Sequence, residues 1–352
     1  MDVLRPVAVS ELKQRAAQLG FDACGVAAAE DYPELAFLKQ WLECGYAGEM
    51  HYLHNSAERR MSIKAVLPSA RTVIALGTVY NVDRPYSTEI ADPHRALVAR
   101  YAWGDDYHTV VQQRMGALVE WLRESSGPRL EAKAYVDTGP VQERVFAQYA
   151  GLGWIGKNTC LIHPEHGSWL FLSAILCNLP LACDAPTLDQ CGECTLCIDA
   201  CPTGAFVAPH VLDSRRCLSY LTIESKGAIP ADYRPSIGSH AYGCDICQEV
   251  CPWNLTPLTA RSTDASWLPR AWLDGSSLAD LWRKTDDELR VLLKGSAMKR
   301  AGVRGLRRNL AVALANARDP HAISALTDVD EPTCRDPLVR EHIEWALTQR
   351  TQ

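Results

Sequence analysis

Two runs of cysteine have the spacing that iron–sulfur proteins use to bind metal. The first run reads C-x2-C-x2-C-x3-C-P and contains Cys191, Cys194, Cys197 and Cys201. The second reads C-x2-C-x3-C-P and contains Cys244, Cys247 and Cys251. In such runs the closely spaced thiolates bind one 4Fe–4S cluster, whereas the cysteine beside the proline binds the other cluster. The second run lacks its leading cysteine, and Cys217 lies between the runs to replace it.

Crossed ligation therefore predicts two complete clusters. The first is expected on Cys191, Cys194, Cys197 and Cys251, and the second on Cys201, Cys217, Cys244 and Cys247. Zinc also binds paired cysteines, and a secreted chain could form disulfides instead. Zinc sites rarely use this run, and the N-terminal MDVLRPVAVSELK lacks the apolar segment of a signal peptide. We therefore favour two 4Fe–4S clusters, with zinc as the alternative.

The composition indicates a cytoplasmic protein of two or three domains. The chain has 352 residues, more than one core usually serves, and no apolar run reaches the roughly 18 residues of a membrane helix. The net charge of −6 argues against a wholly basic nucleic-acid binder but allows a local basic patch. Most of the other six cysteines are expected to be small core residues, namely Cys24, Cys44, Cys160, Cys177, Cys183 and Cys334.

The elements that must position these cysteines begin with an α+β region over residues 1–180. Residues 71–80 predict a buried strand, and 109–125 predict a helix. A strand at 130–136 runs into Asp137-Thr138-Gly139-Pro140, and a helix is expected over 141–150. These elements do not alternate cleanly as strand and helix, which favours an α+β arrangement over a doubly wound sheet. The G-x-G-x-x-G at 151–156 follows a helix rather than a strand, so we expect close backbone approach there and not dinucleotide binding.

Two further domains are predicted after residue 180. Residues 181–262 are expected to form a two-cluster ferredoxin-like domain with little secondary structure. Residues 263–352 contain helical patterns at 276–295, 300–317 and 320–350, which suggest a HEAT-like helical domain.

A basic stretch lies at the start of this helical tail. Residues 290–308 contain no Asp or Glu, and their basic residues are Arg290, Lys294, Lys299, Arg300, Arg304, Arg307 and Arg308. A solvated helix face would explain such a run in general. In an acidic chain the concentration stands out, and a phosphate backbone is its natural partner.

Taken together, the motifs resemble those of the epoxyqueuosine reductase family. The likeness is carried by RYAWGDDYH at 100–108, YVDTGPVQER at 135–144, GLGWIGKNTC at 151–160, SAMKRAGVRGLRRN at 296–309 and both cysteine runs. It spans nearly the whole chain in the family's order, although the helical tail is shorter than in longer members. The resemblance implies reduction of the epoxide of epoxyqueuosine to queuosine at the wobble position of a tRNA with a GUN anticodon.

The same resemblance implies the cofactors and partners. Cobalamin is expected in the N-terminal domain, base-off and without a protein histidine on cobalt, as in the related reductive dehalogenases. Electrons are expected from a flavodoxin or ferredoxin, and the protein is expected to be a monomer.

Site residues follow from the resemblance too. Asp137 is expected to donate a proton, with its pKa raised by an apolar, corrin-covered pocket; the alternative is that it only caps the next helix. Corrin contacts are assigned to Arg60, Tyr101, Asp137, Lys157, Asn158 and Thr159. Contacts with tRNA phosphates are assigned to Lys226, Lys299, Arg300, Arg304, Arg307 and Arg308, with Tyr242 or Trp253 stacking on a base.

Two other functions fit part of the chain. A corrinoid iron–sulfur enzyme acting on a small molecule would leave the basic tail without a role. A non-catalytic electron-transfer module would explain only the cysteine region.

Overall fold

The computed structural model describes residues 4–256, 259–318 and 320–349. Its α-helices are α1 Val9–Gln18, α2 Pro33–Glu43, α3 His51–Asn55, α4 Ala57–Met61, α5 Ile63–Val66, α6 Tyr107–Ser126, α7 Glu143–Tyr149, α8 Leu196–Asp199, α9 Ile246–Glu249, α10 Pro252–Leu255, α11 Leu278–Arg283, α12 Asp286–Leu293, α13 Gly302–Asn316, α14 Pro320–Ala325 and α15 Pro337–Thr348. Its strands are β1 Ala23–Ala28, β2 Thr72–Val79, β3 Leu97–Val98, β4 Ala132–Tyr135, β5 Trp154–Ile155, β6 Leu161–Ile162, β7 Leu170–Cys177, β8 Phe206–Ala208, β9 Val211–Leu212 and β10 His240–Tyr242.

A four-stranded antiparallel sheet in the order β1-β2-β7-β4 organises the N-terminal half. Every residue of β2 is buried, because helices cover both faces of the sheet. Successive side chains of a strand point to opposite faces. Ile74 and Leu76 accordingly join the core that includes α1 and α6, whereas Val73 and Ala75 join the core that includes α7. This mixture of helices with an antiparallel sheet confirms the predicted α+β class at that level.

The predicted elements of this half match the structure closely. The strand expected at 71–80 is β2, and the strand expected at 130–136 is β4. The helix expected at 109–125 begins earlier, at Tyr107, because the Asp106 side chain accepts a hydrogen bond from the His108 backbone and caps it. This small extension brings Tyr107 and His108 into the first turn of α6.

The glycine motif at 151–156 serves a hairpin. Gly151 has a φ of +75°, and a Cβ on Gly153 would clash with the carbonyl oxygen of Ile162 in β6. The expected close backbone approach is therefore made by β5 to β6 of the same chain.

The C-terminal helices gather around α13, which packs against α11, α12, α15 and β10. The single helix expected at 276–295 is wrong: Lys284 has an extended backbone, and Thr285 starts α12 with a capping box to Glu288. Leu306, Leu310 and Leu314 of α13 belong to the same buried cluster as the sheet residues. The boundaries at 180 and 262 and the HEAT-like architecture stay predictions. Among the described helices, none is long and apolar enough to cross a membrane.

Candidate active site and cluster-binding region

The loop after β4 presents Asp137 to the solvent. Asp137 has a φ of +58°, in the left-handed region that non-glycine residues seldom adopt. Its backbone N–H donates to the Glu143 carboxylate Oε1 at 3.0 Å. A Cβ on Gly139 would clash with the Tyr135 ring, so glycine is required at the far side of the turn. The side chain of Asp137 is 64% exposed, which makes it a carboxylate that a ligand can reach.

The first turn of α6 supplies the hydrogen-bond partners of Asp137. The Tyr107 hydroxyl donates to Asp137 Oδ2 at 2.6 Å, and His108 Nε2 lies 3.3 Å from the same oxygen. The other ring nitrogen, Nδ1, lies 2.7 Å from Asp106 Oδ1. Asp106 Oδ2 forms an ion pair with Lys299 from the basic stretch. Five polar side chains thus form a continuous chain of contacts.

Asp137 does not cap the following helix. α7 begins at Glu143 with Gln142 as its N-cap residue, and the Asp137 side chain bonds to α6 instead. The alternative interpretation of Asp137 as a helix cap is therefore wrong.

The ionisation of Asp137 depends on its hydrogen-bond partners in α6. Burial against the protein raises the pKa of Asp137, but the hydrogen bonds from His108 and Tyr107 outweigh it, and the net pKa is below the usual range. The expected increase concerns a pocket covered by the corrin, and it stays a prediction. Burial lowers the pKa of His108, but its bonds to Asp137 and Asp106 outweigh that effect and raise it. When the pair holds a single proton, these shifts favour His108 as its site.

Glu143 is a second carboxyl at the site, which the sequence analysis did not assign. Burial, followed by the charge of Asp137, raises the pKa of Glu143 to about 8. Glu143 lies six residues after Asp137 in the same YVDTGPVQER motif, and this proximity in sequence was the available indication of its role. Glu143 therefore holds the Asp137 loop while itself carrying a proton at neutral pH.

The first predicted cluster set lies around one cavity. Cys191, Cys194, Cys197 and Cys251 line a volume of about 380 Å³ together with Trp253. Across the described residues, no three Cys, His, Asp or Glu side chains are spaced to hold a lone metal ion. The four cysteines come from both runs, as crossed ligation predicts.

The second predicted set also converges. Cys217 interacts electrostatically with Cys201, and Cys247 interacts with both Cys244 and Cys217. These interactions link Cys201, Cys217, Cys244 and Cys247, and none of the four lines the first cavity.

Two family models match separate parts of the chain, and curated relatives match nearly all of it. A family model described as 4Fe-4S double cluster binding domain matches residues 190–254, and one described as epoxyqueuosine reductase QueG matches residues 60–138. The epoxyqueuosine reductase of Pseudomonas aeruginosa is 42% identical over 96% of this chain and 92% of its own length. That of Escherichia coli is 36% identical over 97% of this chain and 89% of its own length. The chain belongs to the epoxyqueuosine reductase family.

Solved structures of epoxyqueuosine reductases have the same fold. One, crystallised with an epoxyqueuosine-modified tRNA-Tyr stem loop, is 31% identical with a TM-score of 0.86, covering 98% of this chain and 90% of that one. Another, from Bacillus subtilis, has its catalytic aspartate loop swung out of the active site; it is 31% identical with a TM-score of 0.83, covering 97% of this chain and 90% of that one. The likeness to epoxyqueuosine reductases spans the whole chain, so the electron-transfer module and the small-molecule reductase are not favoured.

The residues predicted to contact the corrin differ in their exposure and in their hydrogen-bond partners. Arg60 is half-buried and donates to the Val141 carbonyl at 3.2 Å, close behind Asp137. Tyr101 bonds the hydroxyl of Tyr242, and the backbone carbonyl of Thr159 accepts from Arg144.

Lys157 and Asn158 fasten the cysteine loops. Lys157 Nζ donates to the carbonyls of Gly192 at 2.7 Å and Cys194 at 3.0 Å. Asn158 is buried and donates to the carbonyl of Cys247 at 3.2 Å, which contradicts its predicted corrin contact.

The basic residues expected to contact tRNA separate into two groups. Arg307 and Arg308 are buried, so their predicted phosphate contacts are wrong. Tyr242 is fully buried as well and cannot stack on a base. The exposed group comprises Lys226, Lys299, Arg300 and Arg304.

Tyr52 is an aromatic residue that the sequence analysis missed. Its ring is 44% exposed, and the Arg300 guanidinium lies over it at 5.5 Å. Both side chains interact electrostatically with Asp137, so this exposed ring lies near the site. Nothing in the sequence places α3 beside residue 300, so this proximity could not be predicted.

Proposed function

We propose that the protein reduces the epoxide of epoxyqueuosine to queuosine at the wobble position of tRNAs with a GUN anticodon. The observation that carries this function is the near full-length match to curated epoxyqueuosine reductases, together with the exposed Asp137 carboxylate on its hydrogen-bonded turn. The solved relative with a modified tRNA stem loop supports tRNA as the substrate.

The chemistry sets the tasks of the site. Converting the epoxide to an alkene takes two electrons and two protons, and the epoxide oxygen leaves as water. Two bound 4Fe–4S clusters would transfer single electrons, and bound cobalamin would supply low-valent cobalt for the reduction of the epoxide. We propose a flavodoxin or a ferredoxin as the external electron donor and a cytoplasmic monomer as the working form.

The chain offers a suitable set of groups for cobalamin beside Asp137. The cofactor carries many amide side chains, which need both donors and acceptors. The Arg60 guanidinium interacts electrostatically with the Asp137 carboxylate, and the exposed Arg144 side chain interacts with the adjoining Glu143, so donors and an acceptor are available there. His108 is not proposed as a cobalt ligand, because carboxylates engage both of its ring nitrogens.

Asp137 is proposed to protonate the epoxide oxygen as its bond to carbon breaks. The Asp137 side chain is exposed, while Glu143 accepts a hydrogen bond from the Asp137 backbone N–H. A cofactor and an RNA loop over the cleft would exclude water, and this desolvation favours the protonated acid. The proton then passes to the oxygen on which negative charge develops.

The exposed basic group and Tyr52 are proposed to bind the anticodon stem loop. The Arg300 guanidinium is held by Glu224 on one side and lies over the Tyr52 ring on the other. Unstacked RNA bases bind to aromatic faces, and cationic side chains bind to phosphates. A ring and a cation at the edge of the Asp137 site would hold the loop with its wobble base inside.

The test uses anaerobically reconstituted protein and a stem loop carrying epoxyqueuosine, with and without cobalamin. We expect cobalamin-dependent conversion to queuosine that falls by about 10²- to 10⁴-fold in Asp137→Asn, since a positioned acid contributes that much. Asp330→Asn, which changes an exposed carboxylate paired with Arg335, is the matched control and should retain activity. Conversion that ignores cobalamin, or full activity in Asp137→Asn, contradicts the proposal.

A further inference from the structure

The proposed reaction needs a second proton, and Asp137 carries only one. Both protons leave on the same oxygen as water, and a bound RNA and cofactor would cover the exposed Asp137 side chain. A resupply of protons from within the protein is therefore required.

The contacts of Asp137 lead to such a source. His108 Nε2 lies 3.3 Å from Asp137 Oδ2, and its Nδ1 lies 2.7 Å from Asp106 Oδ1. The side chain of Asp106 is only 4% exposed, and its second oxygen pairs with Lys299. A buried carboxylate that bonds to Nδ1 fixes the orientation of the ring and stabilises its positive charge. His108 thus stands between an inner and an outer carboxylate.

The charged groups around this chain favour a proton on His108. Asp106 and Asp137 face the imidazole, and they raise its pKa. Burial raises the pKa of Asp106, but its bonds to Lys299 and His108 outweigh burial and lower that pKa. Lys299, paired with the second oxygen of Asp106, thus favours the ionised carboxylate. Asp137 itself is faced by Tyr107, His108 and Arg60, with Glu143 on its backbone.

We infer that His108 is a proton-relay residue, positioned by Asp106, that reloads Asp137 within each turnover. The inference rests on the proposed function. As Asp137 gives its proton to the substrate oxygen, the Nε2–H bond of His108 breaks and a new O–H bond forms on Asp137. The second proton then reaches the same oxygen, and water forms. After the product leaves, the neutral imidazole and the ionised Asp137 carboxylate each regain a proton from solvent, which restores the two protons that a turnover consumes. The electrons are those that the external donor supplies to the reaction.

The geometry also explains why the neighbouring Tyr107 does not relay protons to Asp137. The Tyr107 hydroxyl donates to Asp137, and burial followed by the charge of Asp137 raises its pKa far above neutrality. Tyr107 therefore holds the carboxylate in place and gives up no proton at neutral pH.

The experiment measures kcat and KM against pH for the reconstituted enzyme and three variants. In His108→Gln we expect kcat to fall about 10²-fold at neutral pH with KM for the stem loop unchanged. In Asp106→Asn the alkaline limb of kcat should move to lower pH, because Asp106 no longer stabilises the protonated imidazole. Asp105→Asn is the matched control: this exposed neighbour pairs with Arg270 instead, and its profile should follow that of the wild type.

A fourth variant, His108→Ala, is assayed with added imidazole. Restored turnover with bound cluster and cobalamin absorbance intact supports the relay. An unchanged rate in His108→Gln, or an unmoved limb in Asp106→Asn, overturns the relay while the wild type still converts substrate. Absence of conversion by the wild type would instead overturn the proposed function.

Discussion

Arg304 and Arg307 lie one turn apart on α13 but have opposite surroundings. Arg304 is half-exposed and pairs with Asp336 at 2.9 Å. Arg307 is fully buried, pairs with Asp286 at 3.0 Å and donates to the carbonyls of Trp282 and Lys284. At 100° per residue, Arg304, Arg307 and Arg308 share one face of the helix. Their difference therefore comes from depth along the helix axis and from the elements packed there, which periodicity does not reveal.

The buried arginines support the exposed basic residues. Arg308 donates to the carbonyls of Ser225 at 2.8 Å and Gly227 at 2.7 Å, on either side of Lys226. Lys226 in turn donates through Nζ to the carbonyl of Arg300 at 2.9 Å. One basic stretch thus provides both the surface for a phosphate backbone and the internal bonds that shape it.

The largest expected effect comes from breaking the buried pair. Arg307→Met leaves the Asp286 carboxylate buried without its cation, and we expect the free energy of unfolding to fall by about 3–5 kcal/mol. Arg304→Met removes only a half-exposed pair and should cost about 0–1 kcal/mol. Chemical denaturation of the two reconstituted variants measures both. Equal losses would mean that burial does not distinguish these arginines.

A medium effect is expected from the exposed aromatic ring. Tyr52→Ala should weaken binding of the stem loop by about 1–3 kcal/mol, the usual contribution of one stacked base. Tyr52→Phe keeps the ring and should bind almost as the wild type does, whereas Phe37→Ala, an exposed ring on α2, is the matched control. Fluorescence anisotropy with a labelled stem loop measures the affinity. A loss in Tyr52→Phe equal to that in Tyr52→Ala would contradict stacking.

The sequence predicts the cluster region better than the acid site. Ligand spacing within a cysteine run is local information, and the crossed pairing follows from it without any knowledge of the fold. Cys251 of the second run lines the same cavity as Cys191 of the first run, as crossed pairing predicts. The strand β2 was predictable for a similar local reason, because eight apolar or small residues bounded by turns have few alternatives.

The acid site depends on contacts between distant parts of the chain. His108 and Asp137 meet because the start of α6 lies against the edge strand β4, and Asp106 meets Lys299 from the far end of the sequence. Motif resemblance supplied Asp137 but not its partners, so the lowering of its pKa by His108 and Tyr107 could not be predicted from the sequence. The charge on Lys299 had been assigned to tRNA alone, since a sequence shows a basic residue but not the carboxylate it pairs with.

The smallest expected effect concerns how much of the exposed charge is available to RNA. Arg300 is already paired with Glu224 at 2.7 Å, so a phosphate has to compete with that carboxylate. We therefore expect Arg300→Gln to reduce the slope of log affinity against log salt by less than the roughly 0.7–0.9 of a full phosphate contact, and Lys226→Gln to reduce it by close to that amount. Glu224→Gln should have the opposite effect and bind the stem loop more tightly at low salt, because it frees the Arg300 guanidinium. Titrations at several salt concentrations measure the three slopes. A weaker complex with Glu224→Gln would show that Glu224 orients Arg300 for the phosphate rather than competing for it.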